Sequence, residues 1–499
     1  MGAKPFLTQE DIKMCFSICC CIYGIGTLGM PGNYARAGYC WASLALVSMA
    51  SINIFATVCI SKLMLAAPKS VRTFADLGAF VLGRSGRWLV VVPHMITCIL
   101  CPIAFLVFGG MLLTVLFPGT FDAETWIVIM GVTLLPLCLI PTLKEGAGVA
   151  AAGFLGTFIT DVTSLAMLLY NMHEANLDGK LSTPPPNLNF KQVVTVFGNL
   201  ALAYGAGIVV PSLQREHSEP TRMPRIIVVS MGLITCLFLT DSLVGFSAVG
   251  CQIPGNLLFA IADTKLGFVA NRGGVVIAYL AMQMHITIAF SVILFPVFYT
   301  LERLVLGIHT TSHQPHDATD DIEAQEFAAV LTPVSTKAIA STTAKETIQA
   351  DDDDSHDIDS TTYKQPGVYP KVALLRILCV AACVVVSVLW KDHLLELLDF
   401  AGSSSIALSC MILPMALYLK HFGASLPLAE RVFATLAIVI CIALGAYVTY
   451  NSAGPLFNPP PKATGPAPWD APKFPYCSGS YVNMVFTNVT YHHNFSSQP

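Results

Sequence analysis

Tyr23-Gly-Ile-Gly-Thr-Leu-Gly-Met-Pro31 lies inside a long apolar segment and sets three glycines ahead of a proline. It carries no charged side chain, so any chemistry it performs is that of bare backbone. Glycine lacks the restraint of a Cβ, and proline lacks an N–H and clashes with the preceding helical turn, so the stretch favours unwinding. At membrane depth open backbone is tolerated only where protein or a water-filled cavity covers it. Exposed amides at a half-helix start then suit a carboxylate, and exposed carbonyls suit an ammonium or a cation. A glycine-lined helix contact is the alternative reading. Ala203-Tyr-Gly-Ala-Gly-Ile-Val-Val-Pro211 repeats the pattern in a second apolar segment. Two such stretches favour a pair of interrupted helices that hold a small zwitterion, as an amino acid is, without a dedicated charged side chain.

Titratable groups within apolar segments are the next candidates. Gly153, Thr157, Thr160, Asp161 and Ser164 fall on one helical face, and a small polar face on a membrane helix must point inward. An ionised Asp161 at mid-span costs on the order of 3 kcal/mol. It is therefore expected either to pick up and release a proton in a working cycle or to serve as an inert helix–helix hydrogen bond. Asp241 and His285 are weaker candidates of the same kind. His285 stands about 200° around its helix from both Gln283 and Thr287, off the polar stripe Gln283–Thr287–Ser291, and so faces another helix. No H-E-x-x-H, no G-x-S-x-G and no metal-spaced His/acid cluster is present, so an enzyme finds little support and no cofactor is expected. Cys98-Ile-Leu-Cys101 has redox spacing but no nearby charge, and is expected to pack.

These groups need elements to hold them. Of 499 residues, 54% are hydrophobic and 12% charged, against roughly 25% charged in soluble proteins. The fold class expected is an all-α polytopic membrane protein. Apolar stretches long enough to cross a bilayer occur at 12–36, 41–66, 88–117, 124–142, 146–170, 192–213, 224–249, 272–303, 370–390, 394–419 and 427–450. That makes 11 transmembrane helices, with Pro136 weakening the fourth and Glu396 and Asp399 the tenth. The interrupted spans one and six stand five apart. An odd-numbered unit must re-enter the membrane the other way up, giving a five-plus-five inverted repeat with one extra helix.

With residues 1–11 in the cytoplasm, cytoplasmic segments hold 19 Lys and Arg and the opposite side 8, as the positive-inside bias requires. The start is not expected to be a cleaved signal or a myristoylation site. Spans one to five occupy 12–170, spans six to eight 171–309, and spans nine to eleven 370–450. Residues 310–369, with Asp351–Asp354, form an acidic cytoplasmic loop too polar to fold alone. Residues 451–499 form a Pro-rich extracellular or lumenal tail with glycosylation acceptors at Asn488 and Asn494. Thirteen of the 16 cysteines fall within spans and behave as small hydrophobes. Cys251 and Cys477 are the two best placed to pair in an oxidising compartment. A net charge of −4 speaks for no nucleic-acid partner.

Gly24-x-Gly-x-Leu-Gly-x-Pro with Ala37-Gly-Tyr39 resembles the opening helix of the amino acid/auxin permease family. Leu135–Glu145, Val210–Pro220, Phe246–Gly250 and Leu397–Ser405 through Pro414 are similar to later parts of that family, in order. The likeness covers the membrane core but neither the acidic loop nor the tail. It implies a leucine-transporter-like eleven-span fold that moves amino acids by alternating access, usually with protons and in some branches with sodium. It also implies substrate contacts at Gly24, Gly26, Thr27, Tyr204 and Gly207, Tyr204 acting as a gate unless it is an ordinary packed aromatic. Sodium-coupled members carry Asn where this chain has Cys20, a poor hard-ion ligand. Thr287 alone is an incomplete cation site, so proton symport is favoured over sodium. An amino acid sensor with little flux is the alternative. Plasma membrane and acidic organelle membrane both remain open.

Overall fold

A computed structural model describes residues 5–140, 147–175, 182–205, 207–262, 271–308, 363, 365–458 and 474–485. Nearly all of it is helix, and no β-strand occurs among the described residues. The helices are α1 Gln9–Ile22, α2 Ile25–Leu28, α3 Met30–Ala66, α4 Phe74–Leu116, α5 Ala123–Leu139 and α6 Ala147–Ala175. They continue with α7 Phe190–Ala203, α8 Val210–Glu216, α9 Met223–Val249, α10 Leu257–Ala262 and α11 Arg272–Leu306. The last are α12 Val368–Leu389, α13 Leu394–Ala401, α14 Leu413–Phe422 and α15 Leu428–Phe457, with a π-helical stretch at Gly402–Ile412 between α13 and α14.

Among the described residues eight helices are long and apolar enough to cross a membrane. With the exposed apolar side chains of α4, α12 and α15, they make this a multi-pass membrane protein. The three expected spans outside that eight have physical reasons to be short. The first is split between α1, α2 and the start of α3, and the sixth between α7 and α8. The fourth, α5, has 17 residues, roughly 25 Å of helix. Its carbonyl end is closed by Arg376, whose guanidinium donates to the Cys138 and Ile140 carbonyls at 2.9 and 2.7 Å and pairs with Glu302 at 2.7 Å. Tyr363, the return point from the acidic loop, donates to the other Glu302 oxygen at 2.9 Å.

Spans one and two share α3, which breaks at Gly38, where φ is +68°. α4 breaks likewise at Gly83, φ +66°. Both sites need the left-handed region that glycine adopts without a Cβ clash. Packing then closes the bundle: α3 lies on α9, α11 on α6 and α4, α1 on α9 and α6, and α7 on the π-helical stretch and α13. Four serines line that stretch, and Ser404, Ser405 and Ser409 return their hydroxyls to carbonyls one turn back. Wide turns of this kind often mark functional positions.

The expected boundary at 450/451 is corrected. α15 runs on to Phe457, through Pro455, because Phe457 packs edge-on to Trp390 and Phe400 at 5.6 and 5.5 Å. Such contacts override the cost of a proline near a helix end. Asn488, Asn494 and most of 310–369 lie outside the described residues.

Residues 474–485 cross the face of the bundle opposite the start of α1. Cys477 is bonded to Cys251, with Cα atoms 5.2 Å apart. The Gln252 amide donates to the Tyr481 and Met484 carbonyls at 3.0 and 2.6 Å, and the Asn187 amide to the Tyr476 carbonyl at 2.7 Å. The disulfide closes a separation of 226 residues, and cross-links across long loops restrict the unfolded chain most. Cys477→Ser is expected to lower the thermal midpoint of the detergent-solubilised protein by a few degrees. After cleavage at a protease site engineered into 310–369, the two halves should stay joined without reductant in the parent and separate in the variant.

Candidate functional site

The site is built from two helix interruptions. α1 stops at Tyr23, whose amide closes the last turn onto the Cys19 carbonyl at 2.8 Å, and Gly24 is non-helical at φ −154°, ψ −138°. α2 is a single turn, ended by Gly29, before α3 starts with Pro31 in its first turn. α7 stops at Tyr204, and a 3-10 turn at Gly207–Val209 leads into α8. The two breaks meet. A Cβ added to Gly26 would lie 2.8 Å from Cα of Ala203, and one added to Gly29 would lie 2.8 Å from Nδ2 of Asn199. Only glycine allows backbones this close. α7 is pressed in turn against span ten: a Cβ on Gly198 would stand 2.7 Å from Cα of Asp399, and one on Gly402 would collide with the Gly198 carbonyl.

The substrate positions suggested by sequence fall around this junction. Gly24 and Gly26 form the first break. Thr27 is buried in α2, and its hydroxyl has no hydrogen-bond partner among the described residues. A buried polar atom left without a partner is costly and calls for a ligand or water. Tyr204 is wholly buried, with its hydroxyl 2.9 Å from that of Thr235. Gly207 sits apart, facing Ile60 of α3 and Cys410 of span ten. Phe238 of α9 links the breaks: its ring stacks on Tyr23 at 6.3 Å and meets Tyr204 edge-on at 5.2 Å. Tyr23 also packs on Phe154 of α6 at 5.3 Å.

Beyond this aromatic layer, Asp161 of α6 and Asp241 of α9 face one another, and the Tyr23 hydroxyl faces Asp161. Both carboxyls are buried, and neither oxygen of Asp161 has a partner at hydrogen-bonding distance. Among the described residues, neither carboxyl forms an ion pair with a basic side chain. Thr160 spends its hydroxyl on the Gly156 and Ala278 carbonyls at 2.9 and 3.0 Å, which ties α6 to α11. His285 of α11 reaches across to α6, where Nδ1 bonds the Gly153 carbonyl at 3.1 Å, and its ring covers Gly24. Thr287 gives its hydroxyl to the carbonyl of Gln283, one turn back on its own helix, at 2.8 Å.

Several residues went unremarked in the sequence. Arg36 of α3 pairs with Asp399 of α13 at 2.8 Å, both buried, and Arg36 also lies under the Tyr476 ring at 5.5 Å. A small cavity beside this pair is lined by Gly29, Gly32, Asn33, Arg36, Asn199 and Asp399. The cue was available: a charge inside an apolar span needs a partner of opposite sign. Tyr23 and Asn199 carried no cue beyond standing near the breaks, and Phe238, in α9, carried none.

At the other end, α1 is anchored at its first turn. Thr8 and Asp11 form a reciprocal cap, the Thr8 amide donating to Asp11 at 2.8 Å and the Asp11 amide to Thr8 at 3.2 Å. Asp11 also receives the Arg222 guanidinium at 2.6 Å and His217 Nε2 at 2.9 Å. Burial opposes ionisation of Asp11, but the bonds from Arg222, Thr8 and His217 outweigh it and hold the carboxyl well below the usual carboxylate range.

These features define an integral membrane protein whose buried polar site is built from two interrupted helices. The chain belongs to the family described as transmembrane amino acid transporter protein, which matches residues 11–453. It is 24% identical over 254 residues to amino acid transporter AVT1I of Arabidopsis thaliana, a match covering 49% of this chain and 61% of that one. With AVT3A of the same plant it shares 26% over 322 residues, 61% of this chain and 70% of the relative. With vacuolar amino acid transporter 7 of Saccharomyces cerevisiae it shares 24% over 233 residues, 44% and 45% of the two chains. The chain thus spans less than two thirds of AVT1I and about half of the yeast relative. Among solved structures, MhsT in complex with L-phenylalanine overlaps 89% of this chain and 100% of its own at 12% identity, with a TM-score of 0.45.

The close approach of the two breaks is directly testable. Gly26→Val must push α2 from α7, and overpacking of this kind costs on the order of 1–3 kcal/mol. Gly232 has open space around it, so Gly232→Val serves as the control. A lowered thermal midpoint is expected for the first variant only; equal midpoints would argue against the contact.

Proposed function

We propose that this protein is a secondary active transporter of amino acids that works by alternating access and couples transport to protons. The observation that carries the reading is the meeting of the interrupted first and sixth spans, with Gly26 against Ala203. Membership of an amino acid transporter family supports the substrate class. In this reading the backbone of Gly24 and Gly26 and the free hydroxyl of Thr27 hold the substrate's charged ends. Tyr204 closes over it from the second break. The eleven spans form a five-plus-five inverted repeat plus one helix, with residues 1–11 cytoplasmic and the tail, with Asn488 and Asn494, on the far side.

Asp161 and Asp241 form the proton site. Two carboxyls facing each other in a buried setting with no cation against them cannot both stay ionised, so the pair shares a proton. Tyr23 connects that proton to the first break. A proton arriving from the outer side pairs with substrate loading, and its release inside resets the carrier. Thr287, committed to its own helix, contributes little to a sodium site.

The test is uptake into proteoliposomes of an equimolar mixture of the twenty labelled amino acids, at two pH values with and without sodium. Accumulation driven by an inward proton gradient is expected, without a sodium requirement. Saturable binding without flux would identify a sensor instead. Asp161→Asn should abolish accumulation above the equilibrium level while sparing counterflow exchange. Undiminished uphill transport in this variant would remove Asp161 from the coupling step.

A further inference from the structure

His285 has a geometry that the carboxyl pair does not explain. It is 3% exposed, deep in the bundle. Its Nδ1 stands 3.1 Å from the Gly153 carbonyl, which can only accept, so Nδ1 carries a hydrogen in every protonation state. The open nitrogen is therefore Nε2, and it has no hydrogen-bond partner among the described residues. It points at the first break: a Cβ on Gly24 would lie 2.6 Å from Nε2, the nearest atom of the structure. Gly24 follows directly on the carbonyl end of α1, a 14-residue helix, and a helix C-terminus carries partial negative charge that favours a cation. Gly153, which holds the ring from α6, is itself backed by the Cys20 sulfur of α1. The ring thus bridges α11, α6 and the end of α1.

We infer that His285 is a second proton-binding site, distinct from the Asp161–Asp241 pair, whose Nε2 proton fastens the end of α1 to spans five and eight. When Nε2 is bare, its lone pair faces the negative end of α1 and nothing draws the two together. Once protonated, the same nitrogen becomes a donor and a positive charge against that end. The proton does here what a bound metal cation would do, using a side chain already in place. The titratable groups on the packed elements include Cys19, Cys20 and Tyr23 near the end of α1, Asp161 on α6, Asp241 on α9, and His94, Cys98 and Cys101 on α4. None of them bonds the ring, so His285 answers to pH on its own account. The site rests on the transporter reading for its purpose but not for its chemistry.

The experiment is hydrogen–deuterium exchange of α1 peptides in the detergent-solubilised full chain between pH 5.5 and 8, corrected for intrinsic exchange, with no substrate added. Slower exchange of Gln9–Ile22 at acid pH is expected, by about tenfold. His285→Asn keeps a donor for Gly153 but has no second ring nitrogen, so its exchange should not vary with pH. Asp161→Asn should retain the wild-type profile, which separates the two proton sites. A flat profile in the wild type, or an unchanged one in His285→Asn, overturns the inference, and the wild-type measurement does so even where the variant fails to fold. Absence of amino acid flux in the proteoliposome assay would remove the transporter reading while leaving this exchange result standing.

Discussion

The structure depends on one constraint: backbone that comes out of helical hydrogen bonding in the membrane has to be covered by other backbone or by a ligand. Two helices break this rule; the first break packs on the end of α7 and on His285, and the second on Ile60, Ile406 and Cys410. The contact with α7 is possible only because Gly26 and Gly29 leave room for Ala203 and Asn199. The consequence propagates outward. To hold α7 so close to α2, Gly198 and Gly402 bring span ten against its back, and the wide π-helical turns of Gly402–Ile412 sit where that contact is made. A chain of small residues thus runs from the first span through the sixth to the tenth.

Deep polarity follows the same economy. Among the described residues, the Thr27 hydroxyl and the Asp161 carboxyl lack hydrogen-bond partners close to the first break, and Trp126, Asn171 and Gln192 carry such atoms away from it, while many other polar residues are committed. Ser230, Ser242 and Thr57 return their hydroxyls to carbonyls of their own helices, and Arg376 and Glu302 satisfy each other. An uncommitted polar atom in this setting is expensive.

Much of this was legible because it rests on residues with strong backbone meaning. Glycine before proline in an apolar run located both interruptions, and apolar length located the eight long helices. The small polar face of α6 singled out Asp161, and its pairing with Asp241 joined two residues chosen separately. What could not be read was contact between distant segments. Arg36 and Asp399 are 363 residues apart; each charge in an apolar span calls for a partner of opposite sign, but nothing local says which. Gly207, a motif position, lies against Ile60 and Cys410, contacts that its local sequence does not announce. The extension of α15 to Phe457 was hidden because Pro455 argues locally for an end, while Trp390 and Phe400, which hold the last turn, lie elsewhere in the chain.

The two halves of the broken first span are fastened at their far ends to different partners. α1 is tied through Asp11 to Arg222 and His217, just ahead of α9. The start of α3 is tied through Arg36 to Asp399 of span ten. A continuous helix would transmit strain from one anchor to the other. The non-helical Gly24 between the halves interrupts that linkage. Asp11 stays ionised across the whole neutral and mildly acid range, so pH does not release the first anchor. The second anchor has a further member, because Tyr476 of the disulfide-held segment lies over Arg36. That segment lies beyond the family-matched region, which ends at residue 453. The disulfide-held segment thus adds a restraint to the α3 half of the broken span, while the α1 half is held by the Asp11 ion pairs together with hydrogen bonds from Arg222 and Arg225 to the Pro5 and Phe6 carbonyls.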